Sequence, residues 1–133
     1  MPASVISDTD IVIAMNPEVD PAPFLPVPLA TFHILLAVAE ESRHGYAIIQ
    51  DVETRTNGSL RLSPGTLYRS IQRMLDDGLI EEMRERPAPE LDDERRRYYR
   101  ITRLGGAVAR AEAQRLSDLV GFARAAGLAP EKI

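Results

Sequence analysis

Leu62-Ser63-Pro64-Gly65-Thr66-Leu67-Tyr68-Arg69-Ser70-Ile71-Gln72-Arg73-Met74-Leu75-Asp76-Asp77-Gly78 is the stretch whose reading decides the fold. Ser63 suits a helix N-cap, because its hydroxyl accepts an orphan backbone N–H at the helix start. Pro64 suits the first helical position, where its missing N–H costs nothing. Leu67, Ile71, Met74 and Leu75 recur at helical spacing and define an inner face. Asp77-Gly78 closes the helix. What remains points outward: Gly65, Thr66, Tyr68, Arg69, Gln72 and Arg73.

Upstream, the spacing of Phe32, Leu35, Leu36 and Ala39 predicts a helix over 29–41. Ile34 and Val38 widen its apolar surface, which gives it a central place. A second helix opens near His44-Gly45 and runs to about residue 56. Tyr46, Ile49 and Val52 line its inner face, with Ile48 beside them. Asn57-Gly58 ends it, since both residues tolerate the left-handed conformation. Ser59-Leu60-Arg61-Leu62 reads as a short extended piece before the helix at Ser63. Downstream, residues 79–84 and 97–101 read as strands. Between them, Pro87-Ala88-Pro89 and Asp92-Asp93 mark a loop too long for a tight hairpin. Thr102 caps a last helix that reaches about residue 126.

The fold class is therefore mainly α with a small β-hairpin wing. Helix, helix, short strand, helix, strand, loop, strand, helix is the order of a winged helix-turn-helix, followed here by a C-terminal dimerisation helix. Residues 1–27 form a Pro-rich acidic arm, 28–103 the DNA-binding domain, and 104–133 the dimerisation helix and tail. In such a domain the third helix enters the major groove and the wing rides the backbone. Thr66, Arg69 and Arg73 fall on one stripe. Arg and Gln side chains pair bidentately with guanine and adenine edges. Ser63-Pro64-Gly65 offers free N–H groups to a phosphate, and Gly65 permits close backbone approach. Arg95, Arg96 and Arg97 supply a second basic feature. Either they contact phosphates, or they pair with Asp92, Asp93 and Glu94 next door.

Composition excludes several other classes. The chain has 133 residues, no cysteine and a formal net charge of −4. Disulfides, thiolate zinc sites and cysteine nucleophiles are thereby ruled out. The negative average hides segregation: residues 1–27 hold four acids and no base, whereas residues 95–103 hold five arginines and no acid. A basic binding surface is compatible with that pattern. No apolar run reaches the length a membrane helix needs, and Asp8 and Asp10 break the only signal-like stretch. His33 and His44 read as helix-face and capping residues, not as catalysts. No phosphate loop or metal-ligand spacing is present, so no cofactor, metal or catalytic site is expected. A winged-helix adaptor that binds protein instead of DNA is the competing reading, because fold does not fix function.

Four motifs together resemble the PadR family of transcriptional regulators. They are the stretch Phe32 to Glu53 with His44-Gly45-Tyr46, Leu62 to Arg69, Asp77-Gly78-Leu79-Ile80, and Arg97-Tyr98-Tyr99-Arg100-Ile101-Thr102 followed by Gly105. The resemblance covers roughly residues 29–127. It implies a cytoplasmic bacterial repressor that binds double-stranded operator DNA as a homodimer. It also carries the reading role onto Ser63, Gly65, Thr66, Tyr68, Arg69 and Arg73, and the basic wing onto Arg95 to Arg97. The chain departs from the pattern in the acidic wing insert Glu90 to Glu94. Its single C-terminal helix matches the short branch of the family. Some relatives bind aromatic effectors, one type through a tryptophan; this chain has none, and its sequence names no effector.

The C-terminal helix carries Ala109, Ala113, Leu116, Val120, Ala123 and Gly127 at alternating steps of four and three, with Leu119 and Phe122 beside them. That is a heptad seam. Such a face either covers the winged domain or meets the same helix of a second subunit. In the arm, Pro2, Pro17, Pro21, Pro23 and Pro26 exclude long regular structure. Its run Asp10 to Met15 either forms a short strand, packs on a partner or has no fixed structure. Met15 is an alternative start of the chain.

Overall fold

The computed structural model describes residues 20–83 and 97–130. A short 3-10 turn at Ala22–Phe24 leads into α1 (Leu29–Ala39), β1 (Arg43–His44), α2 (Gly45–Arg55), α3 (Pro64–Asp76), β2 (Ile80–Glu82), β3 (Tyr98–Ile101) and α4 (Arg103–Ala125). β3 lies between β1 and β2, antiparallel to both. Ile80 faces Ile101 and Glu82 faces Tyr99 on one side; Arg43 faces Tyr99 on the other. This is a winged helix-turn-helix with one long C-terminal helix.

Each functional element starts where its cap dictates. Ser63 Oγ accepts the Thr66 N–H at 3.1 Å and Thr102 Oγ1 accepts the Gly105 N–H at 3.0 Å. His44 Nδ1 accepts the Ala47 N–H at 3.2 Å, so His44 is indeed a cap. Asn57 and Gly58 both adopt positive φ, and the Gly58 N–H reaches back to the Glu53 carbonyl at 2.8 Å. The core gathers Ile34, Leu35 and Val38 of α1, Ile48 and Val52 of α2, Leu67, Ile71 and Met74 of α3, Ile80, Tyr99 and Val108. α1 packs on α2, α3, α4 and β3, the central place its wide apolar surface requires. Gly105 lets α4 start against the sheet: a Cβ there would overlap the Leu79 carbonyl oxygen.

Several local expectations are corrected. The third strand is Arg43–His44, ahead of α2, and not Ser59 to Leu62. That piece is anchored differently: Leu62 is buried, and the Leu60 N–H donates to Thr56 Oγ1 at 3.1 Å. The inner face of α2 is Gly45, Ile48 and Val52; of the expected residues Val52 and Ile48 are buried and Ile49 packs partly on the core, but Tyr46 is exposed. Gly45 takes the inward place because the Tyr68 ring fills the space above it. In α1, Ala39 is exposed, whereas Ile34, Leu35, Ala37 and Val38 are buried; Ala39 is the last helical residue, where the chain leaves the core. Residues 20–27 do not belong to a loose arm. Val27 is buried, and Phe24 and Leu25 pack against the core. The run Asp10 to Met15 lies outside the described residues.

Candidate nucleic-acid interface

α3 presents its polar face as its sequence pattern dictates. Ser63, Pro64, Gly65, Tyr68, Arg69, Gln72 and Arg73 are exposed, and Thr66 is half-buried. The first turn is organised around Thr66. Its Oγ1 accepts from Ser63 Oγ at 3.0 Å and from Arg69 Nη2 at 3.4 Å. Arg69 has no carboxylate partner among the described residues. The C-terminal half differs: Gln72 Nε2 donates to Asp76 at 3.0 Å, and Arg73 Nε pairs with Asp77 at 3.4 Å while its side chain stays 81% exposed. The acid pair Asp76-Asp77 thus engages Gln72 and Arg73 instead of merely facing water.

The stem of the wing adjoins this helix. Tyr68, Ile71, Gln72 and Leu75 line a groove of about 300 Å3 whose other wall is Arg97 and Tyr99. Arg97 Nε lies 3.6 Å from Glu82 across the strand pair. Burial raises the Tyr99 phenol above its ordinary value; Glu82 and Tyr68 add to the rise, and Arg97 opposes it. Tyr99 is therefore a neutral wall residue. Arg95 and Arg96, with Asp92, Asp93 and Glu94, lie outside the described residues. Arg100, from the same basic run, bonds Glu81 at 2.6 Å and belongs to the sheet surface.

Along α4 the two halves behave differently. Gly105, Ala107, Val108 and Glu112 are buried against the domain. Ala109 packs partly on the core, and Ala113 is exposed. Beyond them Leu116, Leu119 and Phe122 are 37%, 49% and 71% exposed, while Val120 and Ala123 are half-buried.

One residue was missed by the sequence reading. Glu112 is buried, yet charged. Its carboxylate accepts from Arg115 Nε at 2.8 Å and Arg115 Nη2 at 2.7 Å, and from the Val27 N–H at 3.2 Å. The Arg115 bonds hold its carboxyl below the usual glutamate range, with the Val27 N–H helping and burial opposing. It ties the segment before α1 to α4. The i,i+3 spacing of Glu112 and Arg115 is visible in sequence, but Val27 is 85 residues away. His33 shields its Nδ1 inside the domain without a hydrogen-bond partner. Among the described residues no cluster of metal-ligating side chains occurs, and no helix is long and apolar enough to cross a membrane.

Residues 34–111 match the model of the transcriptional regulator PadR-like family. The chain is 39% identical over 74 residues to an uncharacterized protein of Lysinibacillus sphaericus; the match covers 56% of this chain and 65% of that relative, just under two thirds of its length. It is 34% identical over 88 residues to the transcriptional regulator Rv3488 of Mycobacterium tuberculosis, covering 65% of this chain and 75% of the relative. A solved transcriptional regulator from Clostridium thermocellum shares the fold with a TM-score of 0.60 at 21% identity, over 90% of this chain and 96% of that one. With more than half of its length matched, the chain belongs to the PadR-like family, whose members are DNA-binding transcriptional regulators and not enzymes.

Proposed function

We propose that the chain is a repressor that binds a pseudo-palindromic operator as a homodimer, reading bases with α3 and pairing subunits through α4. It acts in the cytoplasm, on the nucleoid. The observation that carries this reading is the contrast between two exposed faces. The α3 face is polar and arginine-bearing, and the α4 end is apolar. Arg69 and Arg73, with Gln72 between their turns, suit guanine and adenine edges. Ser63, Pro64, Gly65, Thr66 and Tyr68 lie where phosphates flank such a helix. Arg97 adds a basic side chain at the stem of the wing, and Arg95 and Arg96 precede it in sequence as further candidates for phosphate contact.

Leu116, Leu119 and Phe122 leave apolar area in water that a lone subunit gains nothing from exposing. Ala109, Ala113, Val120 and Ala123 continue the seam, and their small or branched side chains permit close helix approach. Two-fold pairing then sets two recognition helices about one DNA turn, ~34 Å, apart. The test is fluorescence anisotropy with DNA from upstream of the gene itself and with a scrambled duplex, alongside light scattering. Preferential binding of the upstream duplex by a dimer supports the reading. Equal affinity for both duplexes favours a protein-binding adaptor, and a monomer at micromolar concentration removes the dimer.

A further inference from the structure

We infer that Tyr46 makes a second contact with DNA: together with Tyr68 it forms an aromatic edge at the α2–α3 junction that lies against the sugar–phosphate backbone beside the groove. This rests on the reading of α3 as the helix that enters DNA.

Exposed large apolar side chains among the described residues fall into three places. One is the far end of α4, with Leu128 beyond it; one is Leu29 alone; the third is Tyr46 and Tyr68, 61% and 51% exposed. Tyr46 and Tyr68 are brought near each other through Gly45. A Cβ on Gly45 would stand 2.5 Å from Tyr68 Oη and 3.0 Å from its Cζ, so the phenol lies directly over the residue preceding Tyr46. The glycine therefore does two things: it seats Tyr68 over the start of α2, and it turns Tyr46 outward.

Tyr46 leaves most of its side chain in water, 61% exposed. Its apolar body and polar tip suit a surface that is wet on one side and covered on the other. In a helix-turn-helix the first helix crosses the DNA backbone while the second enters the groove. Tyrosine hydroxyls are among the groups that bond phosphate oxygens. The electrostatics permit the approach. The first turn of α2 carries no acid. Asp51 of α2 is held by Arg43 and Arg55, and Glu41 by Arg43. Tyr68 also belongs to the α3 surface.

Such a contact adds affinity without sequence information. Anisotropy on the full chain, with the upstream duplex and its scrambled counterpart, separates the possibilities. Tyr46→Ala should weaken both duplexes by the same factor, about fivefold, the scale of one net hydrogen bond. Tyr46→Phe should fall between it and the wild type, and the melting temperatures of all three should coincide. Arg69→Ala should instead weaken the upstream duplex selectively. Silence of Tyr46→Ala on both duplexes, with Arg69→Ala selective, overturns the Tyr46 contact alone. A loss confined to the upstream duplex overturns it too, because that would be base reading. If Arg69→Ala changes neither duplex, the reading of α3 fails.

Discussion

The outer face of α3 and the far half of α4 are both exposed helical surfaces, yet they ask for opposite partners. α3 shows arginine, glutamine and hydroxyl groups, which water solvates well and which DNA can replace bond for bond. α4 shows leucine and phenylalanine, which water solvates poorly and which only another apolar surface can cover. The near half of α4 is already spent on the monomer core. The difference teaches that one chain divides its surface by chemistry: a polar helix face suited to DNA and an apolar one suited to a second apolar surface, the division on which the proposed function rests.

Placing a charge on the apolar face should have the largest effect. Leu116→Asp or Val120→Asp should give a folded monomer, because an unpaired charge in the seam is costly. Loss of the second half-site should cut operator affinity ~10²-fold or more. Sedimentation and anisotropy on the same sample check both consequences. A charged variant that stays dimeric would move the interface elsewhere.

Next comes the polar face. Arg69→Ala should cost ~1–3 kcal/mol of specific binding and relax one operator position. Arg73→Ala should cost about 0.5 kcal/mol less, because Arg73 must first leave Asp77, a surface pair of that order. Equal losses in a binding titration would show that the Asp77 pair is not felt.

Glu112 sharpens the comparison from behind, since it fixes α4 against the segment before α1. Glu112→Gln should lower stability by about 1 kcal/mol at neutral pH. Its folded carboxyl titrates lower than the free one. Its contribution is therefore complete above the ordinary glutamate range and disappears as pH falls through the lowered value. Thermal melts of both proteins should converge in acid. A gap that persists there would assign the loss to packing.

The smallest effect belongs to the arm. Deleting residues 1–14, so that the chain starts at Met15, should leave the melting temperature within experimental error, because the proline and acid of that arm disfavour a packed core there. A large drop would mean that Ile11, Val12 and Ile13 dock on the domain or on a partner subunit.

How much of this the sequence disclosed depends on the range of the interactions. α3 was legible almost to the residue, because an N-cap, a proline, an apolar period and a closing Asp77-Gly78 are local signals. The Thr102 cap of α4 was legible for the same reason. β1 was not: two residues carry no period, and only pairing with Tyr98 and Tyr99 makes Arg43–His44 a strand. Tyr46 was misplaced because an aromatic at helical spacing reads as core until Tyr68 is seen to occupy that space. Glu112 was missed, since one of its three hydrogen bonds comes from Val27, 85 residues away. The exposure of Gln72 and Arg73 was legible, but not their pairing with Asp76 and Asp77, because adjacent acids at a helix end also suit plain solvent.

Hydroxyl-radical footprinting of the wild-type chain on DNA upstream of its own gene tests the central claim most directly. Two protected segments are expected about one helical turn apart, related by two-fold symmetry, both weakened with Arg69→Ala. A single protected segment, or protection that survives Arg69→Ala unchanged, would contradict it.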